Sequence, residues 1–184
     1  GRDWSSDVCS RQHIIASMND KSGRCAILLP HGVLGRDEEK DIRANLVESD
    51  LVECVIGIGR NLFYNSPMEA CVMICKQNKR AERKGKILFI DAKEKVTRKN
   101  AESNLEPEHI KDILDAYLKY DNIDGFSNVA TIDEIKQKGY MLAIPLYVTK
   151  NNEGTYDTIA SLKKFDECSK EMHKAFQLLT KMFE

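Results

Sequence analysis

Six cations crowd one short stretch: Lys76, Lys79, Arg80, Arg83, Lys84 and Lys86. Side chains at that density could meet a polyanion such as DNA, each phosphate contact adding salt-dependent affinity. The same residues also make an ordinary solvated hairpin turn, and from sequence that reading is favoured. His31 follows Pro30 at the end of an apolar run, a plausible active-site edge. No acid or nucleophile neighbours it in sequence, so a structural imidazole is the simpler expectation. Asp91 closes the run ILFIDA, and α/β proteins place functional groups at such strand ends; a turn-capping role is preferred for it. His109 and His173 have charged neighbours in helical patterns and are expected to be exposed. The G-x-G from Gly57 to Gly59 ends a strand with no helix after it, so it lacks the setting in which glycines cradle a cofactor phosphate. The six cysteines, at positions 9, 25, 54, 71, 75 and 168, form no C-x-x-C pair. Cys25, Cys54, Cys71 and Cys75 fall in apolar runs and read as small core hydrophobes. No further ligands accompany Cys71 and Cys75, so no metal site is expected.

The chain has 184 residues, 42% hydrophobic and 31% charged, enough for one domain with its own core. A net charge of -1 gives no global field for nucleic acid, so any polyanion contact must be local. No apolar run reaches the roughly 18 residues of a membrane span. The unpaired cysteine spacing suits a reducing cytoplasm.

Periodicity supplies the elements that would position these residues. CAILLP reads as a strand buried on both faces, and the acid-led stretch before Ile42, Leu46 and Val47 as a helix. LVECVIGI and MEACVMICK read as the second and third strands. The loop GRNLFYNSP between them is too short for a parallel crossover, so they should be antiparallel neighbours. ILFIDA is a fourth strand, and KEKVTRKNAESNLEP a loop or linker. Pro107 can open a helix that puts Ile110, Ile113, Leu114, Tyr117 and Leu118 on one face. TIDEIKQKGYMLAIPLYV reads as a short Thr-capped helix, a glycine turn and an extended segment. From Thr155 to Glu184 a long helix is expected, with Phe165, Cys168, Met172, Phe176, Leu179 and Phe183 forming a seam. The order describes the closing half of an open α/β sheet.

The blocks GRCAILLPHGVL, IRANLVESDLVECVIGIGRNLFYNSPMEACVMICKQNK, GKILFIDA and IDEIKQKGYMLAIPLYV stand in the order seen in type I restriction-modification methylation subunits. From Gln12 to Val148 the chain resembles that family. The resemblance implies the C-terminal half of a Rossmann-like, S-adenosylmethionine-dependent methyltransferase sheet with an antiparallel hairpin, followed by a helical C-terminal extension. It implies an adenine-specific DNA methyltransferase, with DNA, a specificity subunit, a second methylation subunit and a restriction subunit as partners. The family's cofactor loop (Asp-Pro-x-Cys-Gly-Ser-Gly) and catalytic tetrapeptide (Asn-Pro-Pro-Phe) are absent from this sequence. No catalytic or cofactor-binding residue is therefore assigned, and the chain alone is expected not to methylate DNA.

One role carries over by resemblance. In related adenine methyltransferases an aromatic in the loop before the last hairpin strand stacks on the extruded base. Phe63 holds that position, with Tyr64 as second choice; a loop aromatic folded onto the core is the alternative. Lys79, Arg80, Arg83 and Lys84 are the candidate DNA-backbone contacts. The chain departs from the family where Ile58 and Gly59 replace Leu-Pro, Gly35 an aromatic, and Leu146 an arginine. The organisation expected is residues 1–10 as a non-native, adapter-like segment, 11–92 as the end of the methyltransferase domain, 93–150 as a linker and helical region, and 151–184 as a docking helix. A binding module built on a methyltransferase half, without activity, is the competing class.

Overall fold

The computed structural model describes residues 13–15, 17–63, 67–99 and 102–150. The expectations for residues 1–10, for Tyr64, for His173 and for the helix in 151–184 lie outside the described residues. In chain order the strands are β1 (Arg24–Pro30), β2 (Val52–Ile58), β3 (Ala70–Lys76), β4 (Lys86–Ala92), β5 (Thr97–Lys99), β6 (Glu102–Asn104) and β7 (Ser127–Thr131). The α-helices are α1 (Lys40–Glu48), α2 (Pro107–Lys119) and α3 (Ile132–Gln137).

Five strands form one sheet in the order β1-β3-β2-β4-β7, and β5 pairs with β6 in a separate hairpin. All seven residues of β2 are buried, because apart from Glu53 its side chains are apolar on both faces and helices cover both. One face packs against Val33 and Leu34, against Val47 of α1 and Ile135 of α3, and against Leu142, Ile144 and Tyr147. The Tyr147 ring stacks on Phe89 with centroids 4.0 Å apart. The other face packs against α2 through Ala116, with Ile113, Tyr117 and Tyr120 beside it.

β2 and β3 are antiparallel neighbours, as the short loop between them requires. The Thr131 hydroxyl accepts from the Glu134 backbone N–H at 3.2 Å and starts α3, and Pro107 is the first residue of α2. The sheet is α/β but mostly antiparallel; β2 and β4 are its one parallel pair among the described residues.

Three elements differ from the sequence reading, and a fourth, β7, is an element that reading did not contain. β1 is an edge strand rather than a doubly buried one, and Leu28 is 51% exposed. The segment SNVAT, polar enough to pass for a turn, is β7, held by pairing to β4. The expected linker contains the β5–β6 hairpin, and the segment 93–150 adds β7 to the same sheet as β2. The expected extended stretch after Gly139 instead forms a 3-10 turn at Ile144–Leu146, where Pro145 supplies a helical φ. On α2 the broad apolar face divides. Ile113 and Tyr117 meet the sheet, while Ile110, Leu114 and Leu118 are half or more exposed.

Candidate functional site

β1 and β2 each run antiparallel to β3, and β2 runs parallel to β4. Their last residues, Pro30, Ile58 and Ala92, therefore share one edge of the sheet. Open α/β sheets place ligands outside the carboxyl ends of their parallel strands. The loop from 59 to 69 leaves β2 at this edge and carries Phe63.

An ionic clasp joins the two feet of that loop. Arg60 Nε donates to Glu69 Oε1 at 2.9 Å, and Lys93 Nζ lies 3.4 Å from Glu69 Oε2. Each carboxylate oxygen thus faces its own cation. The Arg60 hydrogen bond, reinforced by Lys93, holds the Glu69 carboxyl below the usual carboxylate range despite its partial burial. Between the feet the chain turns at Asn61 (φ 58°), a left-handed conformation that Asn tolerates. Leu62 then packs into the core beside the buried β2 side chains, while the adjacent Phe63 is 37% exposed.

The β5–β6 hairpin backs the loop. The Ser103 N–H donates to the Asn61 carbonyl at 2.9 Å. A Cβ on Gly59 would lie 2.7 Å from the Lys93 carbonyl oxygen and 2.8 Å from Val96 Cγ1, so this close approach requires glycine. The two other departures from the family pattern sit in open positions. Nothing lies within 4 Å of a Cβ built on Gly35, and Leu146 is 43% exposed.

His31 reaches the same edge. Its backbone N–H donates to the Glu69 carbonyl at 3.4 Å. Its Nε2 is buried without a hydrogen-bond partner, 3.7 Å from where a Cβ on Gly57 would stand. Burial first, then the Lys93 charge, lower its pKa against the opposing pull of Glu69 and Asp91, so the imidazole is neutral at pH 7. Asp91 Oδ1 accepts the Lys93 N–H at 3.2 Å and caps the turn. His109, expected exposed, is mostly covered, with 15% of its side chain accessible. Its Nδ1 accepts the Glu106 N–H at 3.3 Å and closes the first turn of α2.

The basic run lies elsewhere. β3 ends and β4 begins at the opposite edge, about 20 Å away across a seven-residue strand at roughly 3.3 Å per residue. Lys79 is neither a solvated nor a DNA-facing cation. Its Nζ sits 2.6 Å from Asp50 Oδ1, donates to the Lys86 carbonyl at 3.0 Å, and its side chain is 1% exposed. Arg83 is likewise buried. It pairs with Glu53 Oε1 at 3.3 Å and donates to the Tyr117 and Leu118 carbonyls at 3.2 and 3.0 Å. Its guanidinium also lies 4.5 Å from the Tyr120 ring centroid. Glu53 is fully buried, and Tyr117 Oη donates to its other oxygen. Arg80 and Lys84 are exposed.

The structure thus brings together Arg60, Glu69, Lys93 and His31, of which sequence reasoning singled out only His31. The clasp has no local signature, since its members interact across a loop. Glu53 did carry a signal: a carboxylate inside the apolar run LVECVIGI demands a buried partner. The thiols of Cys54, Cys71 and Cys75 are buried and that of Cys25 half-buried, and burial pushes the Cys75 thiol up to about 12. Among the described residues no group of His, Cys, Asp and Glu could hold a metal ion, and no helix is long and apolar enough to cross a membrane.

A sequence profile of N-6 DNA methylase matches residues 3–155. The type I restriction enzyme MjaVII methylase subunit of Methanocaldococcus jannaschii is 39% identical over 153 residues, covering 80% of this chain and 26% of that protein. The HindI methylase subunit of Haemophilus influenzae is 32% identical over 148 residues, covering 74% of this chain and 32% of that protein. Among solved structures, the type I restriction-modification methyltransferase subunit from Streptococcus thermophilus superposes with a TM-score of 0.73 at 35% identity, over 78% of this chain and 30% of that one. The chain spans about a quarter to a third of the length of these relatives.

Proposed function

The chain belongs to the N-6 DNA methylase family, and from that premise we propose that it forms part of the methylation subunit of a type I restriction-modification system. The reaction assigned is transfer of a methyl group from S-adenosylmethionine to adenine N6 in DNA. The partners assigned are DNA, a specificity subunit, a second methylation subunit and, in the full complex, a restriction subunit, all in the cytoplasm.

The described residues do not fit a site for S-adenosylmethionine. The G-x-G at Gly57 to Gly59 leads into the 59–69 loop rather than a helix, and Gly59 is closed over by the Lys93 carbonyl. The 184-residue chain by itself is expected to be inactive. The contribution of this chain is positional. Phe63 stacks on the extruded adenine, and the Arg60–Glu69–Lys93 clasp fixes the loop that carries it.

The observation supporting this reading is the opposed fate of two neighbours: Leu62 is drawn into the core and Phe63 is left at the open edge of the sheet. An aromatic face stacked on a base contributes about 1–3 kcal/mol by alanine substitution. Phe63→Ala in the full-length protein with its specificity subunit is expected to weaken binding of DNA carrying an unpaired target adenine by roughly 5- to 150-fold. Incorporation of labelled methyl groups should fall with it. Unchanged binding and turnover would remove Phe63 from the role. Absence of methyl transfer by the wild-type assembly would overturn the methylase assignment itself.

A further inference from the structure

We propose that the β5–β6 hairpin contacts the DNA backbone, with Arg98 as its phosphate-binding residue. The inference rests on the methylase reading and specifies where that protein grips its substrate.

Position argues first. Arg98 pairs in register with Ser103 across the hairpin, and the Ser103 N–H is hydrogen-bonded to Asn61, two residues before Phe63. Cross-strand neighbours stand about 5 Å apart and the extended chain advances about 3.3 Å per residue. Arg98 therefore lies within about 17 Å of the Phe63 backbone. At about 3.4 Å per nucleotide along one strand, that distance spans roughly five nucleotides. A guanidinium there reaches phosphates flanking a base stacked on Phe63.

Charge argues second. The carboxylates around this edge are largely matched within the protein. Glu69 is shared by two cations, Arg60 and Lys93. Asp112 is taken by Lys95 at 2.6 Å, and Glu94 by Lys150 at 2.8 Å. Arg98 is exposed and pairs with no carboxylate among the described residues. Arg60 keeps 71% of its side chain accessible beside the same loop. Among the described residues the positive charge not matched by a carboxylate thus flanks the exposed aromatic. At the far edge Lys79 and Arg83 are consumed by Asp50 and Glu53. The guanidinium suits a phosphate because its planar fork binds two oxygens at once.

The test is a salt titration of DNA binding by the 184-residue chain, read by anisotropy of a labelled duplex with one unpaired adenine. Neutralising one phosphate contributes about 0.9 to the slope of log K against log salt, measured here between about 50 and about 200 mM. Arg98→Ala is expected to lower the slope by about that amount, Arg98→Lys to retain it, and Arg80→Ala to leave it unchanged. Circular dichroism confirms that each variant is folded. An Arg98→Ala slope equal to wild type overturns the proposal, and so does a wild-type chain that does not bind at about 50 mM salt. The methylase reading is decided separately, by methyl transfer from the longer protein with its partners.

Discussion

Replacing Arg83 by alanine should destabilise the fold far more than a change at Arg80 or Lys84, exposed cations of the same basic run. The side chains of Arg83 and Glu53 are 6% and 0% exposed. The substitution would strand a carboxylate in the core with, among the described residues, only the Tyr117 hydroxyl against it. It would also uncap the Tyr117 and Leu118 carbonyls at the C-terminus of α2. Removing one partner of a buried ion pair costs about 3–5 kcal/mol. For a chain of this length each kcal/mol lowers Tm by about 2–4 °C, so the expected fall is roughly 6–20 °C. Urea and thermal melts followed by far-UV circular dichroism measure it. Arg80→Ala, at an exposed position, serves as the control and should stay within about 0.5 kcal/mol of wild type. The double variant Glu53→Leu with Arg83→Met, which removes both charges and keeps the volume, should recover most of the loss. Equal stabilities for Arg83→Ala and Arg80→Ala would refute the reasoning, because Arg83 would then be a solvated turn cation after all.

The clasp on the Phe63 loop should be acid-labile. The Glu69 carboxyl is held low when folded, so its contribution is complete above the unfolded carboxylate pKa and disappears as pH falls through the folded one. Limited proteolysis of the 59–69 loop should accelerate in that acid window; Glu69→Gln should show fast cleavage at every pH, and a flat wild-type profile would contradict the clasp. In alkylation mapped by mass spectrometry at pH 8, Cys25 should label ahead of Cys54, Cys71 and Cys75, whose thiols are buried. Labelling of Cys75 as fast as Cys25 would be inconsistent with its raised pKa.

Where structure is set by neighbours in sequence, it could be read there. The β2–β3 hairpin followed from loop length, α2 from Pro107 and its apolar spacing, and α3 from the Thr131 cap. What the sequence could not show depends on partners far along the chain. SNVAT is a strand only because β4 offers it a ladder. CAILLP has the composition of a buried strand, but its outer edge has no partner among the described residues. Lys79 and Arg83 read as solvated cations because their counter-charges, Asp50 and Glu53, lie 29 and 30 residues earlier. The loop block around Phe63 was legible through resemblance. The direction in which Phe63 points was not, since it depends on Leu62 filling the core site and on the clasp that spans the loop.

Desolvation separates the fates of two arginines, Arg83 and Arg98. Arg83 has left water, and its charge is useful only to Glu53 and to the end of α2. Its removal should therefore appear in stability and leave the salt slope of DNA binding alone. Arg98 is exposed on a hairpin strand and pairs with no carboxylate among the described residues. Its removal should shift stability by about 0.5 kcal/mol or less and appear in the salt slope instead. The two substitutions thus predict crossed results in two assays. An Arg98→Ala variant that lost stability and kept its slope would place that guanidinium inside the fold, and the open edge of the sheet would lose its phosphate contact.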